Sequence, residues 1–197
     1  MTNPNPQSAT TTAIATRSRL AFDFASVTAF AALTALGARL QVHLPITPVP
    51  VTGQVFCVLL AGAVLGPRLG FVSMVEYLAA GAAGLPVFAY GGGLPAVLGP
   101  TGGYLVGFPL AAALVGWLWA VARDNRVAGL AACLAGAAVI HLFGGVWYAL
   151  WSVIVTGAAA LPAVVAQSLL PFVGVDVVKA AAAWAAAPGL RRRVGSG

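Results

Sequence analysis

The chain has 197 residues, 60% of them hydrophobic and 7% charged, with a formal net charge of +6 and a mean hydropathy of +0.96. A soluble domain carries about 25% charged residues, so ten basic and four acidic side chains cannot cover this much apolar surface. A water-soluble enzyme, a disordered region and a nucleic-acid module are all disfavoured.

Residues 1–18 are polar, with Thr, Asn and Pro, and are expected to form a disordered cytoplasmic lead; they hold no signal-peptide cleavage pattern. A membrane helix needs about 17–25 apolar residues. Apolar runs give six expected spans, at about 20–40, 51–66, 69–84, 102–122, 127–154 and 162–188. They make a transmembrane domain over 19–190, followed by a basic cytoplasmic tail at 191–197. The fold class expected is an all-α membrane protein of six transmembrane helices.

Arginine placement sets the orientation, because loops rich in Lys and Arg stay cytoplasmic. Arg17 and Arg19 precede span 1, Arg68 lies in the 2–3 turn, Arg123 and Arg126 in the 4–5 turn, and Arg191, Arg192 and Arg193 follow span 6. With six spans all of these fall on one side, and both termini are cytoplasmic. Five or seven spans would scatter them over both faces. The connections on the other side, about 41–50, 85–101 and 155–161, contain no Lys or Arg. Two of them are rich in Pro and Gly. Spans 2 and 3, at about 16 residues, rise about 24 Å against a hydrocarbon core of about 30 Å. Irregular backbone at that depth must be buried in protein or line a cavity. A ligand cavity near the outer face is therefore expected, roofed by the 1–2 and 3–4 loops.

Ionisable residues inside spans are functional candidates, because isolated charge there is costly. Asp176 and Lys179, at i, i+3, share one helix face. Pro171 and Gly174 predict a break near 171–175 with a helix restarting around Asp176. Two readings are open for the pair: ligand contact, with Asp accepting and Lys donating, or an ion pair that fills the bundle. Glu76 is read as a packing or pairing residue, with Lys179 as one possible partner. His141 is read as a hydrogen-bonded bundle residue; two histidines offer no metal site. Cys57 and Cys133 read as small buried hydrophobes. Trp117, Trp119, Trp147, Tyr148 and Trp151 read as an interfacial belt. Small residues four apart, Ala25 with Ala29 and Ala31 with Ala35, let another helix approach closely. No phosphate-binding loop, G-x-S-x-G or H-E-x-x-H motif occurs. Catalysis is not expected, and no cofactor is implied.

Five segments carry a resemblance. They are Pro48-x-Pro50-x-Thr52-x-Gln54; Leu65-Gly66-Pro67-Arg68-x-Gly70; Gly84-Leu85-Pro86-Val87-Phe88-Ala89; Leu98-Gly99-Pro100-Thr101-Gly102-Gly103-Tyr104-Leu105; and Pro171-Phe172 with Asp176-x-x-Lys179. In this order they resemble the BioY family, the biotin-specific substrate-binding (S) component of energy-coupling-factor transporters. The likeness departs at Val175, where glycine is usual, and at Tyr90, which interrupts a glycine-rich run. The resemblance implies biotin bound near the outer surface of a bacterial plasma membrane protein. It also implies assembly with a transmembrane coupling subunit and two cytoplasmic ATPases. It places Asp176, Lys179, Thr52, Gln54, Tyr90, Gly103 and Tyr104 around the ligand, and makes the alanine pattern of span 1 (Ala25, Ala29, Ala31, Ala35) a docking surface. The alternatives are a self-sufficient carrier for a vitamin-like solute, or an intramembrane enzyme using Glu76 and His141 as acid and base.

Overall fold

The computed structural model describes residues 6–122, 125–157 and 160–194, and the described residues are almost entirely helical. In chain order the elements are α1 (Pro6–Arg39), β1 (Gln41–Val42), β2 (Val51–Thr52), α2 (Gln54–Ala82), α3 (Leu94–Leu98), α4 (Gly102–Ala122), α5 (Arg126–Thr156), α6 (Leu161–Ser168) and α7 (Leu170–Val194). Among the described residues, five helical segments are long and apolar enough to cross a membrane.

One of these segments, α2, is not a single rod. Gly66 adopts φ 81°, ψ −177° inside it, and Pro67 follows. Glycine takes positive φ at little cost, and proline suits the first turn of the next helix. The two limbs fold back on each other: Gln54 Nε2 donates to Tyr77 OH at 2.6 Å. In an uninterrupted helix those residues would stand about 34 Å apart. The turn expected at Gly66-Pro67 is therefore present, and α2 carries most of both expected apolar runs, 51–66 and 69–84.

Three boundaries differ from expectation. Among the described residues α1 starts at Pro6 and runs unbroken through the polar lead, where no helix was expected before about residue 20. Proline is well placed at a first helical position, and no Gly or Pro interrupts the helix before Gly37; residues 1–5 lie outside the described residues. The expected basic tail begins as the last turn of α7, which ends at Val194; residues 195–197 lie outside them too. The break expected at 171–175 sits instead at Leu169 (φ −124°, ψ −59°), between α6 and α7. A proline lacking an N–H is tolerated in a first turn, so the helix restarts at Leu170 with Pro171 second, and it passes through Gly174 unbroken.

The centre of the molecule is where α2 and α4 meet: Val58, Leu59, Ala61, Met74, Ala111 and Val115 are buried there. The exterior is apolar as well, with Leu142, Val146, Ile154 and Val178 all more than half exposed. In a bilayer lipid competes with such contacts, so helices associate through close packing and hydrogen bonds across the seams. On the α1 seam Ser73 Oγ donates to Val27 O at 2.8 Å, and α7 turns Ala180, Ala183 and Ala187 inward. Cys57 and Cys133 are free and buried, as expected.

The aromatic belt is a correction. Trp117 is exposed, but Tyr148 is buried and donates to Gln167 Oε1 at 2.5 Å. Trp147 gives its indole N–H to Gly99 O at 2.8 Å. A ring near a helix end reaches for the nearest unpaired carbonyl, and here that carbonyl belongs to the protein.

Candidate functional site

The loops between α1, α2 and α4 form a compact roof. β1 and β2 pair antiparallel, Gln41 opposite Thr52 and Val42 opposite Val51. The backbones of Phe88 and Gly91 exchange hydrogen bonds of 2.8 and 3.1 Å. Arg39 Nη2 donates to Pro86 O and Tyr90 OH to Pro48 O, tying the loop after α2 to α1 and to the β1–β2 loop. Burial raises the Tyr90 phenol above its usual range. Tyr90 is thus a latch between loops and does not line the void beneath them.

That void measures about 40 Å³, and Thr52, Gln54, Phe88, Thr101, Tyr104 and Phe108 are among its walls. It has room for a few waters, each needing about 10–15 Å³, and a vitamin-sized solute would require the loops to move. Thr52 Oγ1 donates to Gln54 Oε1 at 2.9 Å, and Tyr77 OH passes the chain on to Val87 O at 3.0 Å. Phe88 stands edge-on to Tyr77 at 5.4 Å. Neither Tyr77 nor Phe88 is among the residues expected around the ligand, yet both stand beside this void or its hydrogen-bond chain. Tyr77 was findable, because a hairpin turning at Gly66 brings residues near 78 opposite Gln54.

Tyr104 joins this void to a second polar cluster. Its hydroxyl donates to Ser168 O at 2.6 Å, and its ring meets His141 edge-on at 6.0 Å. Beyond it, Lys179 Nζ donates to Asp176 Oδ1 at 2.6 Å, and His141 Nε2 lies 2.8 Å from Asp176 Oδ2. Asp176 is only 2% exposed. A buried carboxylate is tolerable when charge and hydrogen bonds compensate it, and this one has both oxygens engaged. Asp176 and His141 also border a groove of about 570 Å³ between α5 and the α6–α7 pair, walled largely by aliphatic side chains such as Leu142, Val164 and Val173.

Gly103 sits at a close contact between helices. A Cβ there would lie 2.2 Å from Trp147 Cβ and 2.4 Å from Phe143 O. The glycine lets α4 approach α5, and it is not among the walls of the void. Glu76 accepts from Thr28 Oγ1 at 3.3 Å, across the α1 seam and not from Lys179. Of the alanines in α1, Ala31 is buried in the molecule's own core and Ala35 packs against it. That pair seats α1 on the bundle, whereas Ala25 and Ala29 are exposed.

The chain is similar to proteins already known. A probable biotin transporter BioY from Pyrococcus horikoshii is 43% identical over 158 residues, 80% of this chain and 88% of that one. The biotin transporter BioY of Thermotoga maritima is 43% identical over 116 residues, 58% of this chain and 67% of the other. The fold is similar to a crystal structure of the S-component for biotin from an ECF-type ABC transporter, with a TM-score of 0.77, 25% identity, and coverage of 86% of this chain and 90% of that one. The BioY family model matches residues 7–196, and the chain belongs to that family.

Proposed function

We infer that this chain is the membrane-embedded biotin-binding S subunit of an energy-coupling-factor transporter in a bacterial plasma membrane. A coupling subunit and two cytoplasmic ATPases supply the energy. The limbs of α2 count as separate crossings, giving six, with both termini and the arginine-bearing turns cytoplasmic. The observation that carries the ligand reading is Asp176, a buried carboxylate held by two partners beside a ring that lines the void under the loops. Biotin offers a ureido group with two N–H donors and a carbonyl, an apolar thioether ring and a carboxylate tail. Asp176 accepts a ureido N–H, Lys179 donates to a biotin oxygen, and Thr52, Gln54 and Tyr104 complete the polar set around an otherwise apolar site. Tyr90 and Gly103 support this site from behind, as latch and as helix contact.

Titrating the purified chain with biotin, thiamin and riboflavin tests this directly. Saturable binding of biotin alone is expected; equal binding of all three, or none, overturns it. Uptake by cells with and without the ATPase partners tests the coupling. Full-rate transport by the chain alone would make it a self-sufficient carrier. The enzymatic alternative has no support in the site, since Glu76 bonds to Thr28 of α1 while His141 bonds to Asp176 of α7.

Docking on the coupling subunit falls to the exposed pair Ala25 and Ala29, where small side chains let a partner helix come close. Ala29→Trp is expected to leave biotin affinity unchanged and to abolish co-purification with the partners. Normal co-purification would remove this face from the interface.

A further inference from the structure

Asp176 has a second partner, on a different helix, which the transport reading leaves unused. We propose that His141 is the positioning residue for Asp176: a neutral imidazole that gives its Nε2 hydrogen to Oδ2 and fixes the angle at which the carboxylate meets the biotin ureido group, without touching biotin itself. The inference rests on the reading that Asp176 contacts biotin.

The hydrogen-bond inventory assigns the proton. An ionised carboxylate only accepts, and Asp176 already takes a hydrogen from Lys179 on Oδ1. The nitrogen 2.8 Å from Oδ2 must therefore carry its own hydrogen. His141 Nδ1 is buried and has no hydrogen-bond partner among the described residues. A second hydrogen there would bury an unpaired donor together with an extra positive charge, and both are expensive in apolar surroundings. A bare lone pair costs less. With a neutral imidazole, the carboxylate and the ammonium cancel, and the cluster as a whole is uncharged.

The geometry suits a fixed bracket. Lys179 reaches Asp176 from the same helix on a flexible stem, so it can follow the carboxylate as it rotates. His141 comes from α5, halfway along that helix, and is held between two rings. Tyr104 meets it edge-on at 6.0 Å and Phe172 lies at 5.9 Å. Tyr104 is itself pinned by its bond to Ser168 O. An anchor on one helix, clamped by rings from two others, sets the carboxylate's direction as a lysine tether cannot.

Biotin titrations of the full chain in detergent test this with His141→Ala, His141→Gln, His141→Asn, Asp176→Asn and the His141→Ala/Asp176→Asn double variant. His141→Ala should weaken binding about tenfold. A glutamine amide N–H reaches the place of Nε2, so His141→Gln should bind nearly as wild type. The shorter asparagine does not reach, and His141→Asn should behave as alanine. In the Asp176→Asn background His141→Ala should cost nothing more, whereas a merely structural histidine would cost the same in both backgrounds. Wild-type affinity in His141→Ala, or an equal loss in both backgrounds, overturns the proposal. Weak binding by Asp176→Asn with normal binding by His141→Ala sinks the proposal alone. Normal binding by Asp176→Asn sinks the site reading and this proposal with it. Should His141→Ala fail to fold, nitrogen NMR of the wild-type chain decides, since only two histidines contribute signals. A bare Nδ1 on His141 is expected, and a protonated Nδ1 refutes the assignment.

Discussion

Replacing Asp176 by asparagine or Lys179 by alanine is expected to weaken biotin binding tenfold or more, about 1.4 kcal/mol, and to lower the melting temperature of the ligand-free chain. The two effects have different origins. Binding falls because biotin loses a partner for its ureido group, and a buried hydrogen-bonding group left unpaired costs about 1–3 kcal/mol. Stability falls because each single change leaves the opposite charge uncompensated at membrane depth, and breaking a buried pair from one side costs about 3–5 kcal/mol. The stability loss should be smaller for Asp176→Asn, whose amide still faces His141. Removing both charges, as in Asp176→Asn with Lys179→Met, separates the two origins. The double variant should melt above either single variant, because no lone ion remains, and yet bind biotin no better than they do. Equilibrium binding and thermal melting in the same detergent measure both quantities. Wild-type affinity in the single variants refutes the ligand assignment. A double variant that melts below both singles would show that the pair stabilises the bundle beyond mutual neutralisation.

The legible parts of this molecule were those written in local chemistry. The Gly66-Pro67 turn was visible because positive φ and a missing N–H each have a residue type that marks them. The long helices followed from apolar length alone. The i, i+3 spacing of Asp176 and Lys179 foretold their contact because both stand on one helix. Partners from distant helices were illegible: nothing in the local sequence of α5 says that His141 faces Asp176, or that Glu76 faces Thr28 and not Lys179. The break lies earlier in the chain than expected for a local reason. Proline ends a helix before it but starts one well, so Pro171 marks a beginning at Leu170 and not a gap reaching to Asp176. Trp147 departs from the belt expectation because position near a span end does not reveal an unpaired carbonyl such as that of Gly99 within reach.

Gly103 stands where α4 approaches α5, and that place decides what its replacement should do. Gly103→Ala is expected to lower the melting temperature and to impair biotin binding together. The added methyl would stand 2.2 Å from Trp147 Cβ and 2.4 Å from Phe143 O. Both atoms are fixed to the α5 backbone, so no side-chain rotation relieves the clash, and α4 must move away from α5. Overpacking of this kind costs about 1–3 kcal/mol. The displacement acts directly on Tyr104, the next residue, which walls the void on one side and clamps His141 on the other. Affinity therefore falls although the methyl touches no ligand. Gly174→Ala supplies the contrast. A Cβ at Gly174 has nothing within 4 Å and lies in a helix, where alanine is favoured over glycine by about 0.5–1 kcal/mol. It should bind biotin normally and melt no lower than wild type. If Gly103→Ala also melts and binds as wild type does, the α4–α5 contact is looser than its distances imply, and Tyr104 does not depend on it for its place beside His141.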